Sequence, residues 1–230
     1  MPPSSVLSVN HPEGTPPPPE EGEEAHASVL VRRAGPADVP VLLRISHAIY
    51  GNRGSWKAEE LRLHQDVFPD GQFVAEEAAT GRVVGMAVSL VVTADAWPLE
   101  VPWRVITDHG RLTTHSVSGD TLYAAGVAVD PAARGMGVGS ALSRGREALA
   151  LELGLARIRA GARIPGYRAL ADRMSPEVYV EELVRGLRKD PTLSFQLAKG
   201  FQVLGVAPGY LRTDQESLGY AAVVEWRAPG

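Results

Sequence analysis

The chain has 230 residues, 44% of them hydrophobic, no cysteine and a formal net charge of −4. That length supports one sizeable core plus appendages, and the missing cysteines exclude disulfides, thiolate metal sites and a cysteine nucleophile. Residues 1–27 hold five glutamates and neither Lys nor Arg, which leaves 22 acids against 23 bases in a near-neutral body, without the clustered basic side chains that a general nucleic-acid surface requires.

Residues 1–27 are rich in Pro, Glu and Gly, with Pro16 to Pro19 consecutive. Such a segment buries too little apolar surface to offset its ordering entropy, so a disordered tail is expected. It has neither the basic start nor the apolar run of a secretory signal, and no stretch of the chain approaches the ~18 apolar residues of a membrane span. The expectation is a soluble, cytoplasmic protein with no nucleic-acid or membrane partner; a homodimer is left open.

Residues 28–230 read as a single domain. Its first strand is expected at Val29–Arg33, then a helix from about Pro36 with Val39, Leu42, Leu43 and Ile49 turned inward. A second helix fits Lys57–Val67. Gln72–Glu76 and Arg82–Val92 form a hairpin through a turn ending in Gly81. Residues 95–118, with Trp97, Pro98, Pro102, Trp103, His109 and His115, read as a long loop carrying a short helix, and loops of that length are often functional. Leu122–Val129 is the next strand. Asp130-Pro131 ends it, and a helix runs from about Gly137 to Leu153, with Val138, Ala141, Leu142, Leu149 and Glu152 at helical spacing and Gly154 after its end. A strand at Ala156–Ile164, helices from Ser175 to about Lys189 and over Pro191–Lys199, and strands at Phe201–Val206 and Tyr220–Arg227 complete the chain. The order mixes parallel and antiparallel strands under helices, an α/β (α+β) arrangement.

Chemistry concentrates in the loop Arg134-Gly135-Met136-Gly137-Val138-Gly139-Ser140, which opens directly into a helix. A helix N-terminus offers free N–H groups and a favourable dipole to a phosphate. Glycines let backbone approach the ligand, and Arg134 adds a permanent positive charge. By itself the string says only that an anion binds at a helix start, and a glycine-rich turn entering a helix fits it as well. A Walker A loop needs Gly-Lys-Ser/Thr, which is absent. A dinucleotide fingerprint read from Gly135 needs glycine where Ser140 stands, and a second strand ending in an acid about 20 residues on.

The strand Leu122–Val129, Pro131 and Arg134-Gly135-Met136-Gly137-Val138-Gly139 resemble the acyl-CoA signature of the GNAT N-acetyltransferases. The hairpin end Gly81-Arg82-Val83-Val84-Gly85 and the junction Ala198-Lys199-Gly200-Phe201 fall where that family has them, so the resemblance spans residues 28–227. Phe68-Pro69-Asp70-Gly71-Gln72-Phe73, Arg163-Ile164-Pro165-Gly166-Tyr167, Asp190-Pro191-Thr192-Leu193-Ser194-Phe195-Gln196-Leu197 and Val224-Glu225-Trp226 are similar to the GNAT module that precedes a carbon–nitrogen (nitrilase-like) hydrolase domain in some bacterial fusions.

The resemblance implies a central mixed, splayed β-sheet of about seven strands, with acetyl-CoA as co-substrate. The fourth strand would carry a bulge, which Gly126 suits. The cofactor-binding residues it implies are Val127, Ala128 and Val129 on that strand and Arg134, Gly135, Met136, Gly137, Val138, Gly139 and Ser140 in the loop. Val127 N–H would donate to the thioester carbonyl, a one-donor oxyanion site, and Val129 would pair with the pantetheine amides. The acceptor implied is a small amine or peptide.

Two departures stand out. A glutamate often stands near position 126 in the family and a tyrosine acid near position 196; this chain has Gly126 and Gln196. Tyr167, and second Tyr123, are the candidates to protonate the leaving thiolate. His115, or Asp108, is the candidate base, because the pKa of histidine suits that work. The six histidines show no paired ligand spacing, so no metal is expected. Substrate selection would fall to Tyr50–Trp56, the loop 95–118 and Gly209–Gly219, whose acids Asp95, Glu100, Asp108, Asp214 and Glu216 could attract a cationic amine.

Overall fold

The computed structural model describes residues 29–229; the acidic tail expected at residues 1–27 lies outside the described residues. Seven strands form one sheet in the order β1-β2-β3-β4-β5-β7-β6. They are β1 (Val29–Arg33), β2 (Gln72–Glu77), β3 (Val83–Val92), β4 (Thr121–Val129), β5 (Arg157–Arg163), β6 (Gln202–Ala207) and β7 (Ala221–Arg227). The helices are α1 (Val39–Gly54), α2 (Ala58–Val67), α3 (Trp103–Ile106), α4 (Val138–Glu152), α5 (Pro176–Val184) and α6 (Leu193–Ala198). All neighbouring strands are antiparallel except β4 and β5, which are parallel. The mixed, helix-flanked sheet expected of a GNAT fold is therefore present.

Alternation along the strands separates two cores. On one face Phe73, Ala87, Leu122 and Ile158 pack under α4 and α5 through Val138, Leu142, Leu149 and Leu183. On the other, Val74, Met86, Leu90 and Tyr123 pack under α1 and α2 through Val39, Leu42, Ile45 and Leu61. Close approach to the sheet requires glycine in two places. A Cβ on Gly85 would stand 2.6 Å from Val138 Cγ1, and one on Gly145 would stand 3.1 Å from Val31 Cγ1. Both let α4 lie flat on the sheet.

Element boundaries agree with the sequence reading to within a few residues, except that the helix expected to reach about Lys189 ends at Val184, before the left-handed Gly186; three further details differ. The first helix begins as a 3-10 turn at Pro36–Asp38 and continues as α1 only from Val39. Glu152, grouped with the apolar stripe of α4, has a side chain 68% exposed that reaches Arg33. The buried polar member of that stripe is instead Arg146.

Candidate active site

The sheet opens at its centre. β4 pairs with β5 only at Thr121, Leu122 and Tyr123, and from Ala124 to Val129 it has β3 alone as a partner. On that other side the β3–β4 register shifts between Val88 and Ser89, so that Ala125 has no partner there. This is a bulge. Ala125 packs in the core under α1, and an added Cβ on Gly126 would point into Trp56 on the same face. Two successive residues on one face is the local geometry that bends a strand away from its neighbour. The bulge expected at Gly126 is therefore centred on the adjacent Ala125.

A splayed strand exposes backbone groups, and buried backbone groups need partners. Side chains from distant elements supply them. Trp103 Nε1 on α3 donates to the Ala125 carbonyl at 2.7 Å, and Tyr50 on α1 donates its hydroxyl to the Val127 carbonyl at 2.6 Å. These two carbonyls face the opening. N–H and C=O of one strand residue point the same way, so Val127 N–H faces the opening as well. Burial holds the Tyr50 hydroxyl pKa above its usual value, so it stays protonated.

Trp56 packs edge-on against Tyr50 and against His64. A Cβ on Gly126 would lie 2.2 Å from the Trp56 ring. That explains the glycine where the family resemblance led one to expect glutamate: the indole occupies the room a carboxylate side chain would take. His64 Nε2 donates to the Gly110 carbonyl at 2.6 Å, and burial lowers its pKa to about 4, so the ring is neutral.

At the end of β4 the chain turns into the glycine loop. Asp130 accepts from Ala132 N–H at 3.0 Å and fixes the turn. Gly135 and Gly137 have left-handed backbone (φ 83° and 76°), and nothing lies within 4 Å of a Cβ added to either. A bare, open backbone at the start of the 15-residue α4 is what an anion needs. Gly139 has a different reason to be glycine: its added Cβ would touch Phe195 at 3.4 Å, so α6 packs directly against this turn. Arg134, Gly135 and Gly137 are exposed, and Met136, Gly139 and Ser140 are partly so. The loop, Val127 and Val129 thus lie along one continuous path, with Val138 and Ala128 buried beneath it. The pattern fits a pyrophosphate on the loop and an extended arm along β4.

The other candidate residues lie apart from this path. Tyr167 is buried among Tyr179 and Tyr220 and donates to the Met174 carbonyl at 3.3 Å, so its hydroxyl has a structural partner away from β4. Tyr123 shares a hydrogen bond with Tyr210, and burial pushes both hydroxyls up, Tyr210 to about 12. His115 stacks on Phe68 at 4.4 Å and accepts from Val91 N–H at 3.1 Å through Nδ1. Val91 is four residues along β3 from Ala87, the partner of Val127, roughly 13 Å at strand rise. Asp108 is tied to Arg111 and Thr113. Among the described residues no group of three or more His, Asp or Glu is placed to hold a metal ion.

The expected acid cluster is largely neutralised. Arg163 takes Asp214 in two 2.6 Å bonds and Glu216 in one of 2.9 Å. Burial alone would raise the Asp214 pKa, but Arg163 and Ser217 bring it below its ordinary value. Asp95 lies 3.7 Å from Arg157. What walls the face opposite α4 is aromatic: Tyr50, Trp56, Trp103, Tyr123 and Tyr210, the last laid across Gly161, where a Cβ would stand 2.0 Å from the ring. Trp103 N–H also bonds to the Tyr210 carbonyl at 3.0 Å. The β3–β4 connection therefore straps this side from β4 to the last hairpin. Tyr50 and Trp103 were readable only as parts of variable segments, since their partners lie 77 and 22 residues away.

Comparison with known proteins agrees with this geometry. The Acetyltransferase (GNAT) family profile matches residues 42–171, more than half of the chain, and the chain belongs to that family. It is 35% identical over 198 residues to the probable hydrolase YhcX of Bacillus subtilis (strain 168), a match covering 86% of this chain but 38% of that relative. It is 34% identical over 172 residues to the uncharacterized N-acetyltransferase YkwB of the same strain, covering 75% of each. Among solved structures it resembles the GphF GNAT-like decarboxylase in complex with isobutyryl-CoA, with a TM-score of 0.72, 25% identity, and 86% of this chain and 98% of that one covered. The match to YhcX is consistent with the expected likeness to modules fused to a hydrolase. No helix among the described residues is long and apolar enough to cross a membrane.

Proposed function

We propose that the chain moves an acetyl group from acetyl-CoA to the primary amine of a small metabolite or peptide by direct attack. The observation that carries this is the opening of β4 from β5 beyond Tyr123, continuous with a bare glycine turn at the start of α4. In this reading the amine nitrogen bonds to the thioester carbon, the C–S bond breaks, and the thiolate takes a proton. Val127 N–H receives the carbonyl oxygen as charge builds on it. An amine with pKa near ~10.4 must first lose a proton, and water in the cleft is its simplest route out.

For the proton on the thiolate, Tyr50 is the best-placed hydroxyl, being bonded to the backbone of Val127 itself. Tyr123 is the next, and Tyr167 is held on the Met174 carbonyl. The strap over the acceptor side favours a small amine over a long peptide, and the aromatic walls favour one of low charge. Free CoA release across a panel of amines tests the reading; release with at least one amine is expected, and none with any amine would contradict it.

A second reading, acyl-CoA binding or turnover without amine transfer, is favoured by two features. No carboxylate can stand at Gly126 beneath Trp56, and Gln196 replaces the usual tyrosine. The likeness to a GNAT-like decarboxylase points the same way. Loss of CO2 from a carboxylated acyl-CoA with no amine present would establish it.

A further inference from the structure

Arg146 has no part in the scheme above. It lies on α4 and is buried, donating from Nε to Ser89 Oγ at 3.0 Å and from Nη2 to the carbonyls of Val88 (2.9 Å) and Gly126. No carboxylate among the described residues pairs with it. Burial lowers its pKa to about 10, which still leaves it charged at neutral pH. Burying a cation against neutral acceptors alone is costly. Those acceptors lie at the bulge, where the β3–β4 ladder loses its register.

A neutral amide could have filled the gap in the ladder, so the charge needs its own reason. Gly126 O and Val127 N–H are the two ends of one peptide unit. Gly126 O turns toward Arg146, while Val127 N–H turns toward the opening that Tyr50 and Trp103 border. A cation on the oxygen end draws electron density from the amide and makes its N–H a stronger donor, since bonds in a chain polarise one another at low dielectric. We propose that Arg146 is a positioning residue that polarises the Gly126–Val127 peptide, so that Val127 N–H stabilises the oxyanion formed from an acyl thioester. The inference rests on the acyl-CoA reading above. It assigns to α4 two functions: its N-terminus faces the loop that would hold the diphosphate, and its third turn charges the oxyanion donor.

The test is the carbonyl stretch of bound acetyl-CoA, labelled with 13C at the thioester carbon and read by difference infrared spectroscopy. In the wild type the band should lie at lower frequency than in water, and Arg146→Lys should keep part of that displacement. In Arg146→Gln it should return toward the solution value, with kcat lowered on the order of tenfold, less than the 10²–10³ of losing an oxyanion donor outright. Affinity for free CoA, which lacks the carbonyl, should stay within about twofold, an effect that loss of fold would not spare. A wild-type band level with that in water, or a band unmoved in Arg146→Gln, overturns the proposal. Should Arg146→Gln not fold, Arg146→Lys decides: a band displaced as far as in the wild type overturns the proposal. Failure of wild-type protein to bind acetyl-CoA at all would sink the acyl-CoA reading, whereas binding with an unshifted carbonyl leaves acyl-CoA binding standing and sinks the oxyanion site of Arg146 and Val127.

Discussion

The two halves of β4 differ more in their surroundings than in their composition. Thr121–Tyr123 completes an ordinary ladder, with β3 on one side and β5 on the other. Ala124–Val129 is equally apolar, yet its β5 side is open and two of its carbonyls are held by Tyr50 and Trp103. The first half needs only neighbouring strands. The second is kept open by side chains arriving from α1, α3 and α4, together with a tryptophan pressed on a glycine. The open half is therefore a strand whose missing partner has been replaced, group by group, without the gap being filled.

Breaking the open half should cost most at Gly126. Gly126→Glu drives a Cβ into the Trp56 ring and brings a carboxylate with it. A loss of about 4 kcal/mol is expected, from overpacking plus an ill-solvated charge. Denaturant unfolding checks this, and the double variant with Trp56→Ala should recover part of the loss. Recovery would show that the indole, not the backbone, forbids the carboxylate.

The wall of the open half should also be sensitive to acid. His64 ties α2 to Gly110 of the β3–β4 connection, with a pKa of about 4 against the ordinary 6.5. A depressed histidine pKa means that the unfolded chain binds the extra proton first. Stability is then complete above pH 6.5 and declines as pH falls toward 4, by on the order of 3 kcal/mol in all. Unfolding curves across that window measure the slope, and His64→Gln should remove most of it. A flat wild-type profile would contradict the burial of a neutral ring.

Smaller effects concern ligand and turnover. Gly137→Val with Gly139→Val places branched side chains at a left-handed position and against Phe195. Acetyl-CoA affinity should fall about a hundredfold, near 3 kcal/mol, as calorimetry would read. The paired half of β4 should be unaffected, visible as unchanged amide exchange at Thr121–Tyr123. Last, Tyr50→Phe should lower kcat about tenfold with little change in affinity for CoA, while Tyr167→Phe should leave kcat near the wild-type value. The reverse pattern would return the proton-donor role to Tyr167.

The frame of the fold was legible because it is written locally. Apolar, β-branched runs bounded by turn residues marked the strands, and Gly81, Pro131 and Gly154 marked turns and ends close to where the structure has them. The glycine loop was legible for the same reason, its conformation being set by its own residues. The replacement partners of β4 were not, because each is a single side chain acting across a long stretch of sequence. Tyr50 and Trp103 read as members of variable segments. Arg146 did leave a signal: Val138, Leu142 and Arg146 follow the i, i+4 spacing of the buried stripe. A charge on that stripe marks a polar group that must find partners in the core. The catalytic tyrosine read from the sequence, Tyr167, follows β5 closely in the chain, yet its aromatic neighbours Tyr179 and Tyr220 turn it elsewhere.

If an acyl-CoA arm lies along the open half of β4, its bound form should cover backbone amides there and nowhere along the paired half. NMR-detected amide exchange with and without acetyl-CoA tests it residue by residue. New protection is expected at Val127, Val129 and the Gly137–Ser140 amides, with Thr121–Tyr123 unchanged. Protection confined to other residues, or none at saturating acetyl-CoA, would contradict it.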